Sequence, residues 1–414
     1  MDYNTKNAMK KLLFSLFLII VNLVFLRIPV IGINVEALKK LFSSNDMLNM
    51  FDAFNGNGLS NLTMGAFSLS SIITVDILMN LLAMSFPKLD DIRNNGESGR
   101  LLFKKINLII AIILTFITSI LFVTKGGAFY KADRGIIKAL SVVQWTLSTF
   151  IIGRLCNIND EKGVSQGASL LIFVNILNNV PKEFKRILSL NRKTFIWVFL
   201  IMFVSILIAI YFSYSYVKIR VIETKKIKTD FNDDTFMIIP FSITSVMPLI
   251  YINVFTSIPL YIKEFFKIDN KILNNIVRMV MPSLWYKNFD YLTVIGILLY
   301  VSFLFIFCAY SAMLSFPTGQ ITNSFKKSNT MMDGIRSGSE MKIYLDEVLK
   351  RVVAISFLMI LFVSVIPSFI VSIAFDGLTL GILGTSILIL VNIHSNLSLE
   401  LKAMFRHLSK KYTV

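Results

Sequence analysis

Apolar runs of about 20 residues recur ten times along this chain, each long enough to cross the hydrocarbon core of a bilayer as a helix. Their limits fall near 10–31, 68–86, 103–123, 137–156, 166–181, 195–213, 238–259, 290–312, 350–373 and 378–396. In lipid every backbone N–H and C=O must find its partner within the protein, so such runs become helices. The composition agrees, because 55% of the 414 residues are hydrophobic and only 16% charged. The expected fold class is therefore an all-α polytopic membrane protein with ten transmembrane helices.

The net charge of +17 is spread over short loops between the apolar runs. That pattern sets orientation and touches anionic lipid, and it does not build a nucleic-acid face. It predicts cytoplasmic N- and C-termini. The inside excess is small, because loops expected outside carry Lys182, Lys185, Arg186, Arg192 and Lys193, and then Lys263, Lys267 and Lys271. Residues 1–31 imitate a signal peptide, but the apolar run is long and lacks a small-residue cleavage site, so it is read as the first span. Cys156 and Cys308 lie in or beside apolar runs and read as small core residues.

No catalytic or metal-binding motif is present. His394 and His407 have no second ligand at metal spacing, and there is no phosphate-binding Gly-Lys-Ser/Thr loop, no Gly-x-Ser-x-Gly elbow and no His-Glu-x-x-His. Gly384-Thr385-Ser386 with His394 further on reads as small-residue helix packing. No cofactor is expected, and work on a substrate must be driven by a partner or by the membrane potential.

Polar residues within the apolar runs are not scattered. At roughly 100° per residue, Ile73, Asp76, Ile77 and Asn80 share one face of the second span. Ala168, Ile172, Asn175 and Asn179 do so in the fifth. Met247, Ile250, Asn253, Val254 and Ser257 repeat the pattern in the seventh, and Thr385, Ile389, Asn392, Ile393 and Asn396 in the tenth. Facing lipid, an unpartnered amide or carboxylate costs about 2–7 kcal/mol, so these faces point inward. One reading is two watered funnels meeting at an aliphatic waist that stops ions by dewetting. The other is interhelical hydrogen bonding in a closed bundle. Four repeats of one design favour the first.

Read in order, the chain resembles the SecY family of protein-translocase channels along nearly its whole length. The first span ends in Arg27-Ile28-Pro29-Val30-Ile31-Gly32-Ile33, similar to the family's Ile-Pro-Val-Pro-Gly. Residues 51–73 resemble the plug and the start of the second helix. Pro87-Lys88-Leu89 with Asn95-Gly96-Glu97-Ser98-Gly99-Arg100 resembles the first large cytoplasmic loop, and Gly167-Ala168-Ser169 with the apolar residues after it resembles the start of the fifth helix. Gly334-Ile335-Arg336-Ser337-Gly338, then Tyr344-Leu345-Asp346-Glu347-Val348-Leu349-Lys350-Arg351, is similar to Gly-Ile-Arg-Pro-Gly and Tyr-Leu-x-x-Val-Leu-x-Arg. Gly384-Thr385-Ser386-Ile387-Leu388-Ile389 matches the tenth helix. Departures are Ser71-Ile72-Ile73 for the family's Pro-Tyr-Ile, Ser337 for proline, Phe316-Pro317-Thr318 for Asn-Pro, and a short loop near 217–236. They resemble the accessory form found beside a housekeeping copy in some Gram-positive bacteria.

The resemblance implies two pseudo-symmetric five-helix halves around a central pore, residues 1–187 and 188–414, hinged near Pro181–Lys193. It implies a pore ring of Ile73, Ile77, Ala168, Ile172, Ile250 and Ile389, with a plug near 56–66 that includes Gly56, Gly58, Leu59, Leu62 and Gly65. A lateral gate would lie between spans 2 and 3 and spans 7 and 8, with Asp76, Asn80 and Asn253 as its polar positions. Cytoplasmic loops near 217–236 and 315–349 would meet a SecA-type ATPase, with Arg336 between Gly334 and Gly338 as the main contact. Lys218, Arg220, Lys225, Lys226, Lys228, Lys326 and Lys327 would form an electrostatic background. Small SecE- and SecG-like subunits, an unfolded preprotein and membrane lipid are the other implied partners. In the accessory form the motor is an accessory SecA and the cargo a Ser-rich glycosylated adhesin. The implied location is the bacterial cytoplasmic membrane. The alternatives are the housekeeping channel, a secondary transporter or flippase, which would want broken helices aimed at a midplane site, and an intramembrane hydrolase, for which no nucleophile–base pair exists.

Overall fold

The structure is a computed structural model that describes residues 3–32, 62–94, 96–125, 135–223, 235–244, 247–252, 255–256, 259, 270–280, 285, 290–328, 330–332, 334–335, 338–375 and 386–409. It separates into two compact units, 1–189 with 396–414, and 190–395.

The first unit contains α1 (Tyr3–Phe25), α2 (Ser68–Ser85), α3 (Pro87–Asn94), α4 (Gly96–Lys125), α5 (Gly135–Lys162) and α6 (Gly167–Leu188). The second contains α7 (Arg192–Tyr214), β1 (Tyr216–Glu223), β2 (Thr235–Pro240), a 3₁₀ turn (Phe241–Thr244), α8 (Lys271–Val280), α9 (Tyr291–Ser315), α10 (Thr318–Ser328), β3 (Thr330–Met332), α11 (Ser339–Ile360) and α12 (Ile366–Ala374). The last helix, α13 (Ile387–Ser409), begins in the second unit and ends in the first.

Among the described residues six helices are long and apolar enough to cross a membrane, or seven if the bent pair Ser68–Ala83 and Pro87–Arg93 is one span. The count of ten is not reached on that basis. The fifth expected span, now α6, carries Asn175, Asn178, Asn179 and Pro181, which lower its hydropathy. The long helices are inside out by the standards of a water-soluble protein. Helix α7 buries Val198, Ser205, Ala209 and Ser213 and exposes Trp197, Phe199, Phe203 and Leu207. Small residues let helices approach, and large apolar ones facing outward suit lipid.

The secondary structure departs from the expected pattern in three places. The fold is mostly helical but not all-α: β1 pairs antiparallel with β2 (Lys218 opposite Ile238) and with β3 (Ile222 opposite Met331), giving a sheet in the order β2-β1-β3. The 217–236 and 315–349 regions expected as loops thus contain strands, α10 and the start of α11. The loop expected over Pro87–Arg100 is instead α3 and the first turn of α4, the two meeting at Gly96, whose φ of 66° is open to glycine at little cost. Finally, α6 runs through Pro181 to Leu188, so helix occupies most of the stretch expected as a hinge.

One face of the sheet is a core. Ile219, Ile239 and Met332 cluster with Met341, Leu345 and Val352 of α11. Leu345, Leu349 and Val352 recur at helical spacing and are at most 6% exposed, which accounts for the Tyr-Leu-x-x-Val-Leu pattern as a packing stripe. Between α11 and α12 the backbone widens into a π-helical turn, Leu361–Val365, just ahead of Pro367, which has no N–H to continue the ladder.

Candidate functional site

In the first unit α2 packs against α6, bringing the helix of Ile73 and Ile77 beside that of Ala168 and Ile172. Ile77 is 6% exposed and Ile172 4%, whereas Ile73 and Ala168 are half-buried. In the second unit Ile250 is half-buried in the helical stretch 247–252, and Ile389, 0% exposed, lies near the start of α13. Asn392, one turn after Ile389, donates Nδ2–H to the Ser242 carbonyl at 3.4 Å, tying α13 to the turn that precedes residues 247–252.

Asp76 and Asn175, like Asn392, have partners within their own units. Asp76 accepts from Nδ2 of Asn107 on α4 at 2.8 Å. Asn175 on α6 accepts from Nδ2 of Asn22 on α1 at 2.9 Å, with both side chains buried. Each of these two residues thus has an interhelical hydrogen bond. Asn80 is half-buried, and Asn253 lies outside the described residues.

Of the expected plug, Gly56, Gly58 and Leu59 lie outside the described residues, and Leu62 and Gly65 sit in the turn that leads into α2. Leu62 accepts from the Val30 amide at 3.1 Å, and the Met64 and Gly65 amides donate to Ile28 and Phe25 at 2.9 and 3.1 Å. Trp145 of α5 donates its indole N–H to the Thr63 carbonyl at 3.0 Å. Its ring stands edge-on to Phe67 and Phe122, with centroids 5.0 and 5.8 Å away. Leu62 is 1% exposed and holds a φ of 39°, an uncommon value for a leucine that this packing sustains. The end of the first span is stitched to α5 as well: the Ile31 amide donates to Gln144 Oε1 at 3.2 Å, and Gly32 sits at a φ of 85° against Ile137.

Gly167 explains part of the motif it opens. It lies so close to the backbone of Cys156 that a Cβ would collide, and its amide donates to Asp160 Oδ1 at 2.7 Å. Asp160 also pairs with Lys104 at 2.6 Å. In the second unit Gly334 and Gly338 take φ of 73° and 137°, conformations open to glycine, and they bracket Arg336, which lies outside the described residues, as do Lys225, Lys226 and Lys228. Lys218 and Arg220 project from the exposed face of β1, with the Lys218 ammonium 5.3 Å from the Tyr216 ring centre. Lys326 and Lys327 are exposed at the end of α10.

Sequence reasoning overlooked Asn22, Lys104, Asn107 and Trp145. For Asn22, Asn107 and Trp145 the available signal was an amide or indole group within an apolar run, since such a group needs a partner.

Fold and packing together define a multi-span membrane protein whose helices carry polar groups inward. The family model described as SecY matches residues 63–397. The chain is 24% identical to the SecY protein translocase subunit of Guillardia theta, over 97% of this chain and 95% of that one. It is 27% identical to the SecY subunit of Mycoplasmoides gallisepticum, over 94% and 81%. Its fold is similar to that of a SecY channel structure concerned with the plug and the closed state, with a TM-score of 0.64 at 16% identity, covering 96% of this chain and 92% of that one. The chain belongs to the SecY family. It is a protein-conducting channel subunit and not an enzyme.

Proposed function

We propose that this chain is the pore-forming subunit of an export channel driven by a SecA-type ATPase, in the accessory form dedicated to large Ser-rich glycosylated adhesins. The two halves, 1–187 and 188–414, would open about the α6–α7 connection. The pore ring would comprise Ile73, Ile77, Ala168, Ile172, Ile250 and Ile389, branched or small apolar side chains that offer water no hydrogen bonds. The segment upstream of the Leu62–Gly65 turn would be the movable plug, and Asp76, Asn80 and Asn253 the polar positions of the gate. Arg336, between Gly334 and Gly338 in the sequence, would dock the motor, and the exposed lysines and arginine of β1 and α10 would add electrostatic background. Small SecE- and SecG-like subunits complete the assembly, in a bacterial cytoplasmic membrane with both termini on the inside.

The observation that carries the accessory assignment is the set of departures from the family pattern at Ser71–Ile73 and Ser337, in a chain whose β1–β2 hairpin is short. The housekeeping role is the second reading, favoured by full-length similarity to general translocase subunits. Complementation separates the two. In cells depleted of the housekeeping channel, an accessory subunit fails to restore growth and general secretion; full restoration overturns the accessory assignment.

A further inference from the structure

The first unit has a partly open polar cavity between α2, α4, α5 and the start of α6, with room for about 80 Å³. A water needs about 10–15 Å³ on that measure, so several waters, or a small ion with part of its shell, fit inside. Its polar wall is Asp76, Lys104, Asn107, Asn157, Asp160 and Gln166.

The charges in that wall do not cancel. Lys104 is taken up by Asp160 at 2.6 Å, and the other oxygen of Asp160 accepts the Gly167 amide at 2.7 Å, so this pair is closed. Asp76 has no ion-pair partner among the described residues, and it is held only by Asn107 Nδ2 at 2.8 Å. Asn107 is 8% exposed, and its Oδ1 is buried without a donor. An uncompensated carboxylate and an orphaned amide oxygen thus sit in one wall, both acceptors and both costly at membrane depth.

Water can donate to both groups but brings no charge, and an anion is repelled. A cation satisfies both needs at once, and all-oxygen donors suit a hard one. A divalent ion asks for more anionic ligands than are present, since the described residues contain no group of three or more His, Cys, Asp or Glu able to hold a metal. We propose that the cavity binds a monovalent cation of sodium size through the Asp76 carboxylate and Asn107 Oδ1, waters completing its shell, and that the ion fastens α2 to α4.

The test uses the purified full-length chain in nanodiscs. Radioactive Na⁺ binding is measured by scintillation proximity, and thermal unfolding is followed in sodium, potassium and N-methylglucamine chlorides at equal ionic strength. Saturable Na⁺ binding, with unfolding shifted upward by Na⁺ relative to N-methylglucamine, is expected. Asp76→Asn abolishes both effects, and Asn107→Leu weakens binding by about tenfold or more, as loss of a contact to a charge does. Asn107→Asp retains binding, which separates loss of a ligand oxygen from loss of fold. Absence of saturable Na⁺ binding, as expected if only water or a proton on Asp76 fills the site, overturns the proposal, as does unchanged binding in Asp76→Asn or Asn107→Leu.

Discussion

Asp76 and Asn175 sit on stripes that resemble a pore lining, yet each is hydrogen-bonded to an amide on a neighbouring helix of its own unit. Periodicity located the faces because each is set by its own helix, but the partners Asn107 and Asn22 come from other helices and carry no periodic signal. The same holds for Trp145, whose indole N–H and ring edges fix the turn around Thr63 and Phe67. Replacing Asp76 with Leu strands the Asn107 amide and should lower stability by about 1–3 kcal/mol, whereas Asp76→Asn keeps a polar partner and should lose less. Denaturation of the two variants in detergent checks the order. If Asp76 also serves the gate, both should change resting ion conductance, and parent-like export and conductance in both would remove it from the site. Trp145→Ala should cost about 3–5 kcal/mol, the range for emptying a buried aromatic site. Trp145→Phe, which keeps most of the ring, should fall well below that on the same thermal-unfolding assay.

Elements show where hydropathy stops being informative. Span centres were legible because long apolar runs admit little but helix, and the ends were not, because helical hydrogen bonding continues into polar residues. Thus α4 begins at Gly96 and α6 passes Pro181 to reach Leu188. The hairpin has its own sequence signal: Val217, Ile219 and Val221 alternate with Lys218 and Arg220, the period of a half-buried strand. Its inner face packs on α11 through Ile219 and Ile239. A charge at the inner Ile239, as in Ile239→Asp, should loosen the hairpin and speed its proteolytic nicking, while Ile238→Asp on the exposed face should leave nicking unchanged. On the motor-docking proposal Arg336→Glu abolishes export while membrane insertion stays normal. Wild-type SecA binding and export in that variant would exclude the arginine from the docking surface.

For the molecule as a whole, the family could be read because its motifs sit at positions the backbone constrains: Gly32 and Gly334 at positive φ, Gly167 against the backbone of Cys156, and Leu345 and Leu349 on a buried stripe. These are packing and turn requirements, set by the backbone and the core of this chain. Which SecY system the chain serves leaves no comparable backbone mark. The channel mechanism instead rests on Ile73, Ile77, Ile172, Ile250 and Ile389, drawn from faces that otherwise carry Asp, Asn, Ser or Thr. If these side chains form one constriction, Asn at Ile172 or Ile389 places an amide in it, wets the waist and raises resting ion leak. The double substitution should leak more than either single one, because each adds hydrogen-bonding sites to the same ring. Leu207, 52% exposed on α7, is the control. Asn there faces lipid, so it should impair insertion by something on the order of 1–3 kcal/mol without opening a leak. Planar-bilayer conductance and an insertion assay on the same set of variants separate the outcomes. Equal leak from Leu207→Asn and Ile172→Asn, or none from the double variant, would mean that these isoleucines seal no common passage.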